Sequence, residues 1–339
     1  MALITKKKIL YPVNEPLREY LKHQERETTA ISYADLTRYS SSIPLYDIAG
    51  KDTLWETVLY GHAEVDSIHK DLKMVYSHLK SAGHIEIIDH LFIDRIDLCP
   101  FGNTKPFRVR IVNSINDNFD YFYIKQADAS RIYGLELEHL LSPNRINYIV
   151  DQNTLVEEHI IGVPGDQFMI KHLDDKAINK VRLAKEFVKF NERTFMRLLG
   201  DMHSSNFVVD ITPDFEDVHY RIRAIDFDQQ SFEGRRAVYL PQYFKQNNPL
   251  IKLGMEIMTP ESQFQYQLEE RSLIINRIKS SKYILNELLS AMKTAPLSLN
   301  KNIVQLRQEL AEYHNNDDFL KCTSMGAIVE KNLAQLEYY

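Results

Sequence analysis

Along the chain the spacing of apolar positions changes period repeatedly, and each change predicts a different kind of element. Up to about Gly83 the period is mostly helical. PLREYLKHQERE carries a proline at a helix first turn and no breaker after it, and Ser40-Ser41-Ser42 with Pro44 marks a loop. From Thr53 to Leu79, Leu54, Val58, Val65, Ile68, Leu72, Val75 and Leu79 recur mainly at three- and four-residue steps, which predicts an amphipathic helix that Gly61 interrupts and Gly83 stops. From Ile85 the pattern becomes strand-like: HLFIDRIDLC, FRVRIV and YFYIK are rich in β-branched and aromatic residues and are separated by PFGNTKP and NSINDN, which predicts an antiparallel meander. ASRIYGLELEHLLSP then predicts a short helix ending before Pro143, and RINYIV and NTLVEEHIIG complete a five-stranded sheet. Beyond Lys171 the chain turns helical, with Leu183, Phe187, Phe190, Phe195 and Leu198 forming an apolar stripe. EGRRAVYLPQYFKQNNPLIKLG has no regular period, and helices resume after Pro260.

Composition bounds what such a chain can be. Its 339 residues predict two domains or one two-lobed fold, and 44% hydrophobic residues supply a substantial core. A formal net charge of -6 argues against a nucleic-acid partner, which would favour a basic chain. Two distant cysteines, Cys99 and Cys322, exclude a disulfide scaffold and a cysteine-rich zinc site, though not a lone disulfide. MALITKKKILYPV has no apolar core of signal-peptide length and no apolar run approaches bilayer-spanning length, so the expectation is a cytoplasmic protein with no membrane partner. His62, His69, His78 and His84 lack ligand spacing and are expected to be solvated helix residues.

The candidate chemistry is concentrated between Leu199 and Asp228. In LLGDMHSSNFVVD and RIRAIDFDQQ, Asp201 and Asp226 each follow a short apolar run, and the amide of Asn206 lies between them. Phosphoryl transfer needs one carboxylate to orient or deprotonate a hydroxyl, and a carboxylate with an amide oxygen to hold magnesium. GDMHSSN resembles the GDxHxxN loop of the aminoglycoside phosphotransferase and choline kinase branch of the protein-kinase-like superfamily, and AIDFD resembles that branch's IDF/IDW metal-binding segment. The ordered set of motifs covers roughly Ile85 to Asp228.

The resemblance implies an α+β, two-lobed protein-kinase-like fold: a helical extension over 1–84, a small antiparallel β-sheet N-lobe over 85–162 and a mainly helical C-lobe over 163–339. It implies ATP and Mg2+ as cofactors. Asp201 would be the catalytic base and His203 a brace for its loop, while Asn206 and Asp226, with Asp228 beside them, would hold the metal. Lys125 in YFYIKQAD would bind phosphate, paired with Glu136 or its competitor Glu138. Gly102 stands in the turn that would cover the phosphates, although this turn has one glycine and not three. Glu158, His159 and Ile160 would form the adenine hinge through main-chain atoms. Leu199 replaces the histidine usual before GD, and ITPDFEDVHYRIR lengthens the interval between Asn206 and Asp226. Asp226-Phe227 is followed by Asp228 and not glycine, with no APE segment downstream, which favours a small-molecule acceptor. Two competing readings use the same residues: a catalytically silent nucleotide-binding module, and a metal-dependent hydrolase with Asp201, His203, Asp226 and Asp228 as ligands.

Overall fold

The computed structural model describes residues 8–29, 31–81, 89–213 and 218–338. The helix stop expected at Gly83 and the strand start expected at Ile85 lie outside them. The chain divides into two compact units, Met1–Asp128 with Ile146–His159, and Ala129–Arg145 with Ile160–Tyr339.

The first unit is built on an antiparallel sheet. After helices α1 (Glu15–His23) and α2 (Tyr33–Leu36) come strands β1 (Ser41–Tyr46) and β2 (Asp52–Leu59) and helix α3 (His62–Ser81). Strands β3 (Leu91–Leu98), β4 (Phe107–Asn113), β5 (Phe119–Gln126), β6 (Tyr148–Asp151) and β7 (Thr154–Glu158) follow, and the sheet order is β1-β2-β3-β4-β5-β7-β6. The sheet therefore has seven strands, where the sequence pattern gave five. The two extra ones come from a segment that pattern assigned to loop and helix. Leu54 and Val58 fit a helical step equally well, but Gly61 separates them from the true helix, which starts at His62. A short apolar spacing of four cannot by itself distinguish the two periods.

One face of this sheet buries Ile93, Ile96, Leu98, Phe107, Val109, Ile111, Phe122, Ile124 and Val156 in one core with Ile68, Leu72, Val75 and Leu79 of α3. In β3 the inward positions are Leu91 and Ile93, then Ile96 and Leu98. A register shift between Ile93 and Arg95 resets the alternation, so both halves of the strand keep their apolar side chains inward. The opposite face is polar and aromatic. Thr57, Asp97, Arg108, Tyr123 and Glu157 stand in one row across five strands. Asp97, fully buried, accepts from Thr57 at 2.9 Å and from Arg108 at 2.8 Å, and it pairs with Arg95 at 2.8 Å. The outer edge of β6 is covered by the chain at Arg26–Thr28, through Val150 N–H to Arg26 O and Thr28 N–H to Val150 O.

The second unit is mainly helical. It contains α4 (Ala129–Leu141), β8 (Val163–Pro164), α5 (Gly165–Lys171), α6 (Lys180–Arg197), β9 (Phe207–Pro213) and β10 (Val218–Ala224). The remaining helices are α7 (Asn248–Ile257), α8 (Pro260–Ser280), α9 (Lys282–Thr294), α10 (Asn300–His314) and α11 (Met325–Ala334). Asn179 caps the start of α6 by accepting from Arg182 N–H, and Leu198 ends it in the left-handed conformation. Leu183, Phe187, Phe190, Phe195 and Leu198 are all buried, as their stripe requires. The α4 helix is buried on nearly every side, and its Arg131 and Glu138 find charged or polar partners inside the unit. Glu138 pairs with Arg197 and accepts from Ser142 at 2.6 Å and Asn144 at 2.8 Å. An antiparallel sheet with many helices makes this a mixed α/β protein. Among the described residues no helix is long and apolar enough to cross a membrane. Cys99 and Cys322 are both free thiols.

Candidate active site

The β9–β10 hairpin brings the two motif carboxylates together. Asp201 and Asn206 precede β9, Asp226 follows β10, and the base of the hairpin is closed by the Phe207–Ala224 pair. Ile225 N–H donates to Asn206 O at 3.0 Å and fastens the two motif segments side by side. The long interval between them does not disturb this, because its extra residues extend the strands outward, to Pro213 opposite Val218. Residues 214–217 of the inserted run lie outside the described residues.

Within GDMHSSN the backbone folds tightly. Asp201 has φ +62°, a left-handed conformation that aspartate tolerates better than most residues. Asp201 N–H donates to Val238 O, His203 N–H to Asp201 O and Asn206 N–H to His203 O. The Asn206 amide nitrogen donates to Asp201 O at 2.8 Å, which fixes the orientation of the amide and turns its Oδ1 the other way. His203 Nδ1 accepts from Ser205 N–H, a bracing contact of the kind expected of it. Leu199, in the place of a histidine, is fully buried and bridges Gln230.

Burial raises the Asp201 carboxyl from 3.8 to about 6; His203 opposes the rise, while the carboxylates of Asp226 and Glu233 add to it. A half-buried carboxylate poised near neutrality suits a general base. Sequence reasoning did not single out Glu233, nor the next residue of the site.

That residue is Arg131 of α4. Its Nη1 donates to Oδ1 of Asp226 and to Oδ1 of Asp228, both at 2.9 Å, and Nη2 donates to Ile225 O at 3.3 Å. Asp226 Oδ1 also accepts Asp228 N–H at 3.0 Å. The α4 helix lies close against this turn: Ser130 donates to Gln230 O at 2.7 Å, and a Cβ on Gly134 would come within 3.0 Å of Phe227 Cβ. The signal for Arg131 was a charged residue seven positions before Glu138 on one face of a mainly apolar helix.

In the sheet unit, Lys125 is nearly buried and donates to Glu157 Oε2 at 2.8 Å, across β5 and β7. The sequence reading paired Lys125 with Glu136 or Glu138 of α4; both are buried in the helical unit, where Glu138 is held by Arg197 and Ser142, and Glu157 is a carboxylate partner that reading did not assign to Lys125. The strand register explains Glu157: it stands opposite Tyr123, so it shares a face with Lys125 two residues on. The backbone N–H of Glu158 is taken by Asn147 O and that of His159 by Tyr121 O. Gly102 N–H donates to Cys99 O within its own turn, which Cys99 N–H to Pro106 O closes.

Asn206 and Asp226 offer oxygen donors of the kind magnesium prefers. Among the described residues no group of three or more histidine, cysteine, aspartate or glutamate side chains is placed to hold a metal ion.

No described family matches this chain, and no curated protein matches it. Among solved structures it is similar to the autoinhibited serine kinase domain of the giant muscle protein titin, at 10% identity over 73% of this chain and 93% of that one, with a TM-score of 0.29. Titin kinase and its flanking domains give 11% identity over 71% and 54%, with a TM-score of 0.28. Scores of this size establish no relationship, and the functional reading stands on the residues.

Proposed function

We propose that the chain is an ATP- and Mg2+-dependent phosphotransferase that transfers a phosphoryl group to a hydroxyl of a small-molecule acceptor. The observation that carries this reading is the fastened pair of segments in the helical unit, where a half-buried Asp201 with a raised carboxyl pKa sits beside Asp226 while the Asn206 amide is oriented by Asp201's own carbonyl.

Asp201 accepts the hydroxyl proton of the acceptor and orients its oxygen for attack. Asn206 Oδ1 and Asp226 are the residues that would hold magnesium, which when bound supplies charge neutralisation of the phosphates. Lys125, kept in place by Glu157, provides a fixed cation for phosphate oxygens. His203 keeps the loop in shape through Ser205 N–H and takes no part in proton transfer.

The catalytically silent module is the second reading, favoured by one observation: Arg131 already pairs with the Asp226 and Asp228 carboxylates. Two measurements on the full chain separate the readings: thermal shift with ATP and magnesium, then ATP turnover against a panel of small alcohols and aminoglycosides. Stabilisation with turnover supports the phosphotransferase. Stabilisation without turnover on any acceptor supports the module, and no stabilisation by nucleotide removes both.

A further inference from the structure

We propose that Gln230 is a positioning residue: its buried side-chain amide clamps the root of the GDMHSSN loop to the Asp226–Phe227–Asp228 turn, and so fixes the spacing of Asp201 and Asn206 on one segment from Asp226 on the other. The roles of those three residues rest on the phosphotransferase reading above, while the clamp itself is carried by hydrogen bonds within the helical unit.

Helix α6 ends in the interior of its unit, and a buried helix end has to find donors for its last carbonyls. Two side-chain amides from distant parts of the chain supply them. Asn332 of α11, fully buried, donates through Nδ2 to Phe195 O at 3.0 Å and to Met196 O at 3.1 Å. Gln230, 1% exposed, donates through Nε2 to Arg197 O at 2.6 Å and Leu198 O at 3.3 Å, and also to Ser231 Oγ at 2.8 Å. The two caps differ in what they join. Asn332 ties α6 to α11 and accepts from or donates to His314 through Oδ1 and Nε2 at 2.9 Å. Gln230 stands two residues beyond Asp228, and Leu198, left-handed at φ +56°, begins the turn that reaches Asp201 three residues later.

The backbone repeats the tie. Ser231 N–H donates to Leu198 O at 2.9 Å, Gly200 N–H to Gln229 O at 3.3 Å, and Gln230 N–H to Phe227 O at 3.2 Å within the turn. The Gln230 carbonyl accepts from Ser130 of α4 at 2.7 Å. Contact is close as well as hydrogen-bonded: a Cβ on Gly200 would come within 3.2 Å of Gln229 O, and one on Gly134 within 3.2 Å of Gln230 Cβ. One residue therefore meets the loop root, the turn and α4. Ile225 N–H on Asn206 O fastens the same two segments at a second point. A single fastening would leave the segments free to hinge, whereas two fix the distance between them. That distance matters because magnesium demands near-ideal octahedral geometry, and misplacing a reacting group by about 1 Å can cost about a hundredfold in rate. Gln230 acts through Asp201, Asn206 and Asp226, by holding their spacing.

The test compares the two caps in the full chain. Gln230→Met keeps the volume and removes the donor, and Asn332→Leu does the same at the cap that joins α6 to α11. Both should lower the melting temperature. Amide hydrogen exchange of the folded variants, read by NMR, should separate them. In Gln230→Met the N–H groups of Gly200, Asn206 and Ile225 should exchange about tenfold faster than in wild type, and in Asn332→Leu about twofold faster at most. Calorimetry with Mn2+ and a non-hydrolysable ATP analogue should show affinity weakened about tenfold in Gln230→Met and unchanged in Asn332→Leu. Unchanged exchange or unchanged affinity in Gln230→Met, or equal effects in the two variants, would overturn the proposal. Should Gln230→Met not fold, native-state exchange of the wild type in rising urea decides it: the three amides should open together with one urea dependence, and separate openings would overturn the clamp. A wild-type chain that binds no Mn2+ and nucleotide would instead overturn the phosphotransferase reading, and exchange alone would then decide the clamp.

Discussion

Replacing Asp201 by asparagine should make the protein more stable at neutral pH while removing its chemistry. Burial, with the Asp226 and Glu233 carboxylates beside it, raises the Asp201 carboxyl from 3.8 to about 6 against the opposing effect of His203. An ionised Asp201 is therefore disfavoured in the folded chain relative to the unfolded one. The sign follows from proton counting. Between 3.8 and about 6 the folded state binds more protons than the unfolded state, so stability is highest below 3.8, falls as pH rises through that window, and is flat above it. The whole difference is worth about 3 kcal/mol at 1.36 kcal/mol per pKa unit, an upper figure because the side chain retains some solvent contact. Asparagine keeps the shape, carries no charge and accepts the left-handed backbone at this position at least as well. Urea denaturation of wild type and Asp201→Asn from pH 4 to 8 should show the variant gaining about 1–3 kcal/mol at pH 7.5, with the gap closing toward pH 4. ATP transfer by the same variant should fall by about two to four powers of ten with nucleotide affinity retained, since Asn206 and Asp226 remain. Wild-type turnover should lose about tenfold per pH unit below 6 as Asp201 takes up its proton. A variant less stable than wild type at every pH, or a gap that does not move with pH, would refute the assignment of a buried charge. Unchanged turnover in a folded variant would refute the base.

Three other substitutions separate the parts of the molecule. Asp226→Ala should abolish cation-dependent nucleotide turnover in a chain that still folds, because Arg131 keeps Asp228 and Ile225 O as partners; equal turnover would remove Asp226 from the site. Glu157→Gln should weaken nucleotide binding about tenfold by calorimetry, because Lys125 loses the carboxylate that holds it at 2.8 Å, and an unchanged affinity would leave the pair purely structural. Glu138→Ala should cost about 3–5 kcal/mol in chemical denaturation, because it strands Arg197 in a site where both side chains are 2% exposed. Burial alone would raise the Glu138 carboxyl, but Arg197, Ser142 and Asn144 hold it below its ordinary 4.5. Its stabilisation is thus present above 4.5 and lost as pH falls through the lower folded value, a loss the variant should not show.

Local spacing determined a good deal of this protein. The period of two in FRVRIV and YFYIK and the three- and four-residue steps of Val65 to Leu79 record single contacts with one core, and both appear in the structure. GDMHSSN and AIDFD were singled out by their resemblance to known motifs, and the structure fastens the two segments side by side through Ile225 N–H to Asn206 O. The tertiary structure decided what depends on partners distant in sequence. Strands β1 and β2 needed neighbours across the sheet, since Thr53 to Leu59 reads equally well as helix until Thr57 is seen opposite Asp97. The pairing of Lys125 with Glu157 was set by the register of β5 on β7, which places both on one face. Arg131 is separated by 95 residues from Asp226 and 97 from Asp228, and no spacing rule links them. A buried charge must find a counter-charge, but where it finds one is fixed only when the chain has packed.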